Sequence, residues 1–330
     1  MVQIFRSKSA GGIIAVILLG IAVHAHFFFE PVSVTSTADD GILFTLLAQY
    51  INANSTFTFV VFIALLLLQA LLLNFILIKF KLFRSRSYSV AMSYILFSAL
   101  IPQWHGLTSA FVANLFVIWL FYLLNQLHKQ PSVKSLAFNI GLLVAFTYLI
   151  YIPLISLIVF ALFALAMLRP FKIKEWLILI IGCLTPFYFL VSYLYLTDEL
   201  YLVKNFIPII NTTTYTHFPI IFDEVFLIKA GYGLFVFLLG LIHLSIIKNR
   251  MLIHVKRYWN LMLAYLIFTL ILPFIFPHAT IGTFIISAVP LAAFGANLFI
   301  IPQRNLWMVN LMLLIFLAII FHTNQILIKI

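Results

Sequence analysis

Of 330 residues, 65% are hydrophobic and 8% charged, and the mean hydropathy of +1.19 excludes a water-soluble domain, because too little polar surface exists to cover an apolar core. The formal charge of +11 would suit nucleic acid only if it formed a patch. Here the basic residues punctuate apolar runs, so membrane topology accounts for them and no nucleic-acid partner is expected.

Backbone amides find no partners in hydrocarbon, so a spanning chain is helical or a closed barrel, and these long runs lack the alternation of barrel strands. The expected fold class is therefore all-α, a polytopic transmembrane protein. A crossing takes about 17–25 apolar residues. Eleven are read near residues 11–29, 57–79, 88–103, 110–127, 135–151, 153–168, 175–196, 226–247, 258–276, 281–300 and 306–323. The first follows Arg6 and Lys8 but offers no small-residue cleavage pattern between His24 and Pro31, so it is read as a retained helix rather than a signal peptide.

The first outer loop spans residues 30–56. Within it Asp39 and Asp40 precede Ile42, Leu43, Phe44, Leu46, Leu47, Tyr50 and Ile51, a helical periodicity that predicts an amphipathic helix on the membrane surface with an aspartate at its cap. The third run ends at Pro102, where Pro102-Gln103-Trp104-His105-Gly106 reads as an outer turn with Trp104 as an aromatic anchor. Around Pro153 the pattern fits either one kinked helix or two spans. An outer flap is expected over residues 197–225, through Pro208, His217 and Pro219. With no soluble insertion, internal repeat or low-complexity tract, residues 1–330 form a single transmembrane domain.

Charge bias orients the spans. With the N-terminus in the cytoplasm, sixteen basic residues fall inside, among them Arg6, Lys79, Lys81, Arg169, Lys172, Lys174, Lys248 and Arg250, and only Lys204, Lys229 and Lys329 fall outside. Merging residues 136–168 into one span would move the Arg169 cluster outside, so two spans are preferred and the expected topology is N-in and C-out. Glu30, Asp39, Asp40, Asp198, Glu199, Asp223 and Glu224 then lie outside, with Glu175 the exception. Insertion does not require this segregation of acids. An acidic outer face can bind a cation, supply an acid or base, attract a basic partner, or simply form a solvated rim.

No phosphate-cradling glycine loop, nucleophile elbow, zinc-protease helix or kinase set is present. Ionisable groups deep within spans are nearly missing, which disfavours a carboxylate-driven transporter. Gln69, Asn74, Asn114 and Asn139 read as interhelical hydrogen-bonding residues. Cys183 has no cysteine partner in the chain and reads as a small buried hydrophobe. His24, His26, His105, His217, His278 and His322 map to the outer half. A divalent cation held there with Asp39 or Asp40 has no diagnostic ligand spacing, so the metal ligands stay unassigned. His24 and His26, two apart, cannot share a face of a continuous helix. At the inner face Arg169 and Lys172 suit either a lipid phosphate or ordinary positive-inside anchoring.

The stretch RPFKIKEWLILIIGCLTPFYFL at residues 169–190, with the short basic N-terminus, resembles an uncharacterised family of polytopic inner-membrane proteins of Bacteroidota. More distantly, the layout of an N-in first helix, a long outer loop with acids and a surface helix, then many spans, is similar to the GT-C membrane glycosyltransferases. That resemblance implies a bacterial inner-membrane protein acting on a polyprenyl-phosphate-linked sugar at the outer leaflet. It implies Asp39 or Asp40 as the catalytic base, with Glu30 a further candidate; Trp104, His105, His217 and His278, on the same outer side, are read as candidate substrate-binding residues. The Asp-x-Asp-type signature and the C-terminal extracytoplasmic domain of many GT-C members are absent from the sequence. A non-catalytic subunit scaffolding a cell-envelope complex is the alternative, and a lipid flippase or permease, for which few polar lining residues exist, is a second.

Overall fold

The computed structural model describes residues 1–6, 9–32, 34–51, 55–83, 87–128, 133–201, 203, 224–276, 280–300 and 306–323. These form an all-helical membrane protein. No strand occurs among the described residues beyond isolated bridges pairing Val34 with Leu107 and Asp40 with Tyr151. In chain order the helices are α1 (Val2–Arg6), α2 (Ala10–Val23), α3 (Ile42–Ile51), α4 (Ser55–Lys79), α5 (Ser89–Ser98), α6 (Ser109–Gln126), α7 (Lys134–Ile150), α8 (Leu157–Leu168), α9 (Ile173–Leu196), α10 (Glu224–Lys248), α11 (Ile253–Ile271), α12 (Ala288–Phe299) and α13 (Leu306–Thr323). Each expected apolar run contains a helix, and α3 falls where the amphipathic helix was read. Among the described residues, six segments are long and apolar enough to cross a membrane: Ser55–Lys79, Ser109–Gln126, Ile173–Leu196, Glu224–Lys248, Ile253–Phe274 and Ile281–Phe299.

At the centre lies α5, every residue of which is buried. Its ten residues rise about 15 Å, half the roughly 30 Å of bilayer hydrocarbon. A helix that stops at such a depth leaves backbone groups that lipid cannot satisfy, so it is stable only inside protein. The sequence suits that setting, because Ser89, Ser93 and Ser98 give α5 small faces against its neighbours. It packs on α12, which is also buried along its length. By contrast α9 presents Leu177, Ile181, Leu184, Tyr188 and Phe189 outward, the surface expected of a helix facing lipid. α9 meets α7 at a crossing of two glycines. A Cβ on Gly141 would overlap the Leu179 carbonyl, and one on Gly182 would overlap the Phe138 carbonyl, so the two backbones touch as small-residue membrane interfaces allow.

Two helix ends differ from the sequence reading, and the preferred break at Pro153 is present. The first helix stops at Val23 rather than continuing to residue 29, because the His24 ring Nδ1 sits 3.0 Å from the Gly20 carbonyl and residues 25–28 tighten into a 3-10 turn. The third run is helical only to Ser98. Around Pro153 the chain breaks at extended Tyr151, follows a 3-10 turn over Ile152–Ser156 and enters α8, which packs against α7. Gln69 and Asn114 do bond between elements. Gln69 donates to the Phe111 carbonyl at 2.8 Å and accepts from Tyr94 Oη at 2.6 Å, while Asn114 donates to the Ile285 carbonyl at 3.0 Å. Asn74 is buried with its side-chain oxygen unpartnered, and Asn139 is exposed.

Candidate functional site at the carboxylate end

Asp39 and Asp40 are 6% and 8% exposed, so neither belongs to a solvated rim. The loop that carries them is fastened on two sides. The Ile152 amide donates to the Asp39 carbonyl and the Gly41 amide to the Ile150 carbonyl, both at 2.9 Å. Gly41 is required there, since a Cβ would overlap the Leu149 carbonyl. The Asp40 carboxylate accepts from the Thr37 amide at 2.8 Å, from Thr37 Oγ1 at 2.9 Å and from Ser109 Oγ, the first residue of α6. It therefore turns back on its own loop and on α6. The expected aspartate cap of α3 is replaced by the Gly41 carbonyl, which accepts from the Phe44 and Thr45 amides.

Asp39 and Asp40 both lie close enough to Tyr151 for their charge to bear on its phenol, and Tyr151 Oη is 2.9 Å from Thr283 Oγ1 on the 3-10 turn Ile281–Ser287. The same stretch of chain is apolar on its other side. Tyr148, Leu149 and Ile152 pack with Ile42, Leu43, Phe187 and Leu190, and the Tyr148 and Phe187 rings stand 5.0 Å apart. Phe187 in turn lines an apolar groove along α9 with Leu184, Tyr188, Val191 and Tyr195. Phe187 thus links this open apolar groove to the segment that pins the carboxylate loop.

The turn at residues 102–106 joins this end through the Val34–Leu107 bridge. Gly106 has φ 130°, which L side chains rarely adopt, and so reverses the chain. Trp104 is no interfacial anchor. It is 3% exposed and its indole N–H donates to the Ile281 carbonyl at 3.0 Å. His105 Nε2 lies 3.0 Å from the Ala99 carbonyl. Burial holds the His105 imidazole well below its ordinary value, and the charges of His24 and His26 press the same way. Glu30 is exposed at the loop's start. His217 and His278 lie outside the described residues.

Arg169 and Lys172 are not part of this assembly. They follow α8 at the opposite, basic end, where Arg169 Nη1 donates to the Leu127 carbonyl at 2.8 Å and its Nε is 3.6 Å from Glu175. Arg169 thus ties α6, α8 and α9 together, while Lys172 is exposed. Among the described residues no three His, Cys, Asp or Glu side chains are placed to hold a metal ion. Sequence reading missed Thr37, Ser109, Tyr151 and Thr283. The pair Thr108-Ser109 ahead of an apolar run was a legible helix start, and Thr108 does cap α6 by accepting from the Phe111 amide at 3.0 Å. The bond from Ser109 to Asp40 was not legible.

A sequence model of a family of unknown function (DUF6427) matches residues 16–329. The chain belongs to this family. No curated protein and no solved structure matches it. The DUF6427 match runs from within α2 to beyond α13 and so includes the carboxylate loop, the turn at residues 102–106 and the α7–α9 crossing.

Proposed function

We propose that this protein is a bacterial inner-membrane protein with eleven crossings, N-in and C-out, that transfers a sugar from a polyprenyl-phosphate carrier at the outer leaflet. The observation that carries this reading is the buried Asp39–Asp40 pair on a loop pinned by the segment against which Phe187 of the α9 apolar groove packs. The lipid chain occupies the groove, and Asp39 serves as general base. It takes the proton of an acceptor hydroxyl as that oxygen bonds to the anomeric carbon, and the carrier phosphate leaves with the electrons of the broken C–O bond. Asp40, whose oxygens already accept three hydrogen bonds, is a positioning residue that holds the loop. Glu30, being exposed, is a weaker candidate base.

The test is transfer from a radiolabelled polyprenyl-phosphate sugar by purified protein in liposomes. Asp39→Asn should lower the rate by about 100-fold or more in protein that still folds, and an unchanged rate removes the reading. The exposed Tyr188, Phe189, Tyr193 and Tyr195 on α9 favour a second reading, a scaffold subunit of an envelope complex. Stoichiometric partners retained through mild detergent extraction, together with absent transfer, would support it.

A further inference from the structure

Three polar side-chain atoms near the carboxylate end are buried without a protein partner: His24 Nε2, His26 Nδ1 and Lys229 Nζ. His24 and Lys229 are both 0% exposed. A buried ammonium with no acceptor is strongly unfavourable, and native structures resolve such groups with water or a ligand.

The placement follows from helices that stop short. α2 ends at Val23 and α5 at Ser98, so the chain beyond each turns inward instead of running on. This brings His24, His26 and His105 together despite their spacing: ring centroids are 6.2 Å apart for His24 and His26, 5.4 Å for His24 and His105, and 4.9 Å for His26 and His105. Lys229 lies on α10, with His105 the histidine on which its charge bears. One turn further along that helix, Gly233 abuts Leu100 and Phe97, which sets Lys229 level with the chain that leaves α5. The carboxylate that bears on His26 is Glu30.

Hydrogen-bond chemistry narrows the ligand. A carbonyl only accepts, so the ring nitrogens facing Gly20 and Ala99 carry the protons, His24 at Nδ1 and His105 at Nε2. The other nitrogen of His24 is an acceptor while the ring is neutral and a donor once it is protonated. A metal cation is opposed by the lysine charge, and no three ligating side chains converge on one point among the described residues. An anion satisfies Lys229 directly and draws protons onto the imidazoles, converting His24 Nε2 and His26 Nδ1 into donors. Three donors on two separate segments match the oxygens of a tetrahedral phosphate better than the two of a carboxylate.

We infer that His24, His26 and Lys229, with His105 packed behind them, form a binding site for the phosphate of a phosphate ester. The ester oxygens accept from Lys229 Nζ, His24 Nε2 and His26 Nδ1, and binding is accompanied by proton uptake. The site uses neither Asp39 nor Asp40, so it stands or falls separately from sugar transfer.

The experiment is calorimetric titration of the full chain in phosphate-free maltoside detergent with dioctyl phosphate, dimethyl phosphate and inorganic phosphate. Two buffers of different ionisation enthalpy are used at pH 6.5 and 7.5. The two diesters keep one charge across this range, so protons taken up on their binding come from the buffer onto the protein. Saturable binding with proton uptake is expected, weaker by about tenfold per pH unit for each proton taken up. Binding of dioctyl phosphate alone assigns a lipid headgroup, whereas equal binding of dimethyl or inorganic phosphate assigns a free phosphate ligand. Lys229→Met should leave the ligand-free unfolding midpoint unchanged or raised and weaken binding at least tenfold, and His26→Gln should reduce proton uptake while the protein stays folded. Absence of binding by all three probes, or unchanged affinity in Lys229→Met and His26→Gln, overturns the site.

Discussion

Asp40 illustrates how a residue chosen for chemistry is held by structure. Its carboxylate takes three hydrogen bonds, one from the buried Ser109 at the start of α6 and two from the exposed Thr37. Bonds to a charged acceptor are worth more than neutral ones, about 1.5–3 kcal/mol each, but exposed donors recover most of that from water. Asp40→Ala should therefore cost about 2–3 kcal/mol in denaturant unfolding, chiefly through Ser109, with Asp40→Asn intermediate. Because Ser109 loses its acceptor either way, Asp40→Ala combined with Ser109→Ala should cost clearly less than the sum of the single changes. Full additivity would mean that the contact carries no stability. Asp39 holds Ile152 through its carbonyl, a backbone bond that Asp39→Asn leaves in place.

At the scale of elements, the α7–α9 crossing makes the sharpest claim, because backbone meets backbone at Gly141 and Gly182. A side chain at either position must push the helices apart. The chain carries its own reporter of that motion, since its single cysteine, Cys183, is 3% exposed beside the crossing. Gly141→Leu should speed maleimide modification of Cys183 by about tenfold or more, equivalent to about 1.4 kcal/mol of lost protection. An unchanged rate would show that the contact is not tight in the membrane. The apolar runs themselves were legible, because a chain in lipid must close its hydrogen bonds within helices, and Gln69 and Asn114 were legible as links between them. What the sequence hides is which runs face protein. α5 and α9 are both strongly apolar, yet one is central and the other peripheral, and only the serines of α5 hinted at the difference. The same limit applies to the sites. Asp39 and Asp40 stand out as a pair, but their burial depends on Ser109, 69 residues from Asp40. The union of His24 with His26 depends on a helix ending where the apolar pattern continues.

For the whole molecule the open choice is between six crossings and eleven, and the geometry of α6 bears directly on it. Asp40 bonds Ser109, the first residue of α6, and Arg169 bonds the Leu127 carbonyl just beyond its last. The 18 residues of α6 rise about 27 Å, close to the hydrocarbon thickness, so the carboxylate loop and the Arg169 turn lie at opposite ends of a membrane-length helix. Counting only the six long segments would place both on the same side, since α4 and α6 alone separate them in sequence. The two are reconciled when the shorter helices α5, α7 and α8 also carry the chain across, sheltered by protein rather than by their own length. Exposed positions test this in a Cys183→Ser background. Thr35→Cys should react with a membrane-impermeant maleimide in intact cells with the outer membrane opened, whereas Lys172→Cys and Asn249→Cys should react only after the inner membrane is permeabilised. Labelling of Thr35→Cys and Lys172→Cys from the same side would rule out the eleven-crossing topology, and with it an outer-leaflet position for the buried carboxylates relative to the basic end.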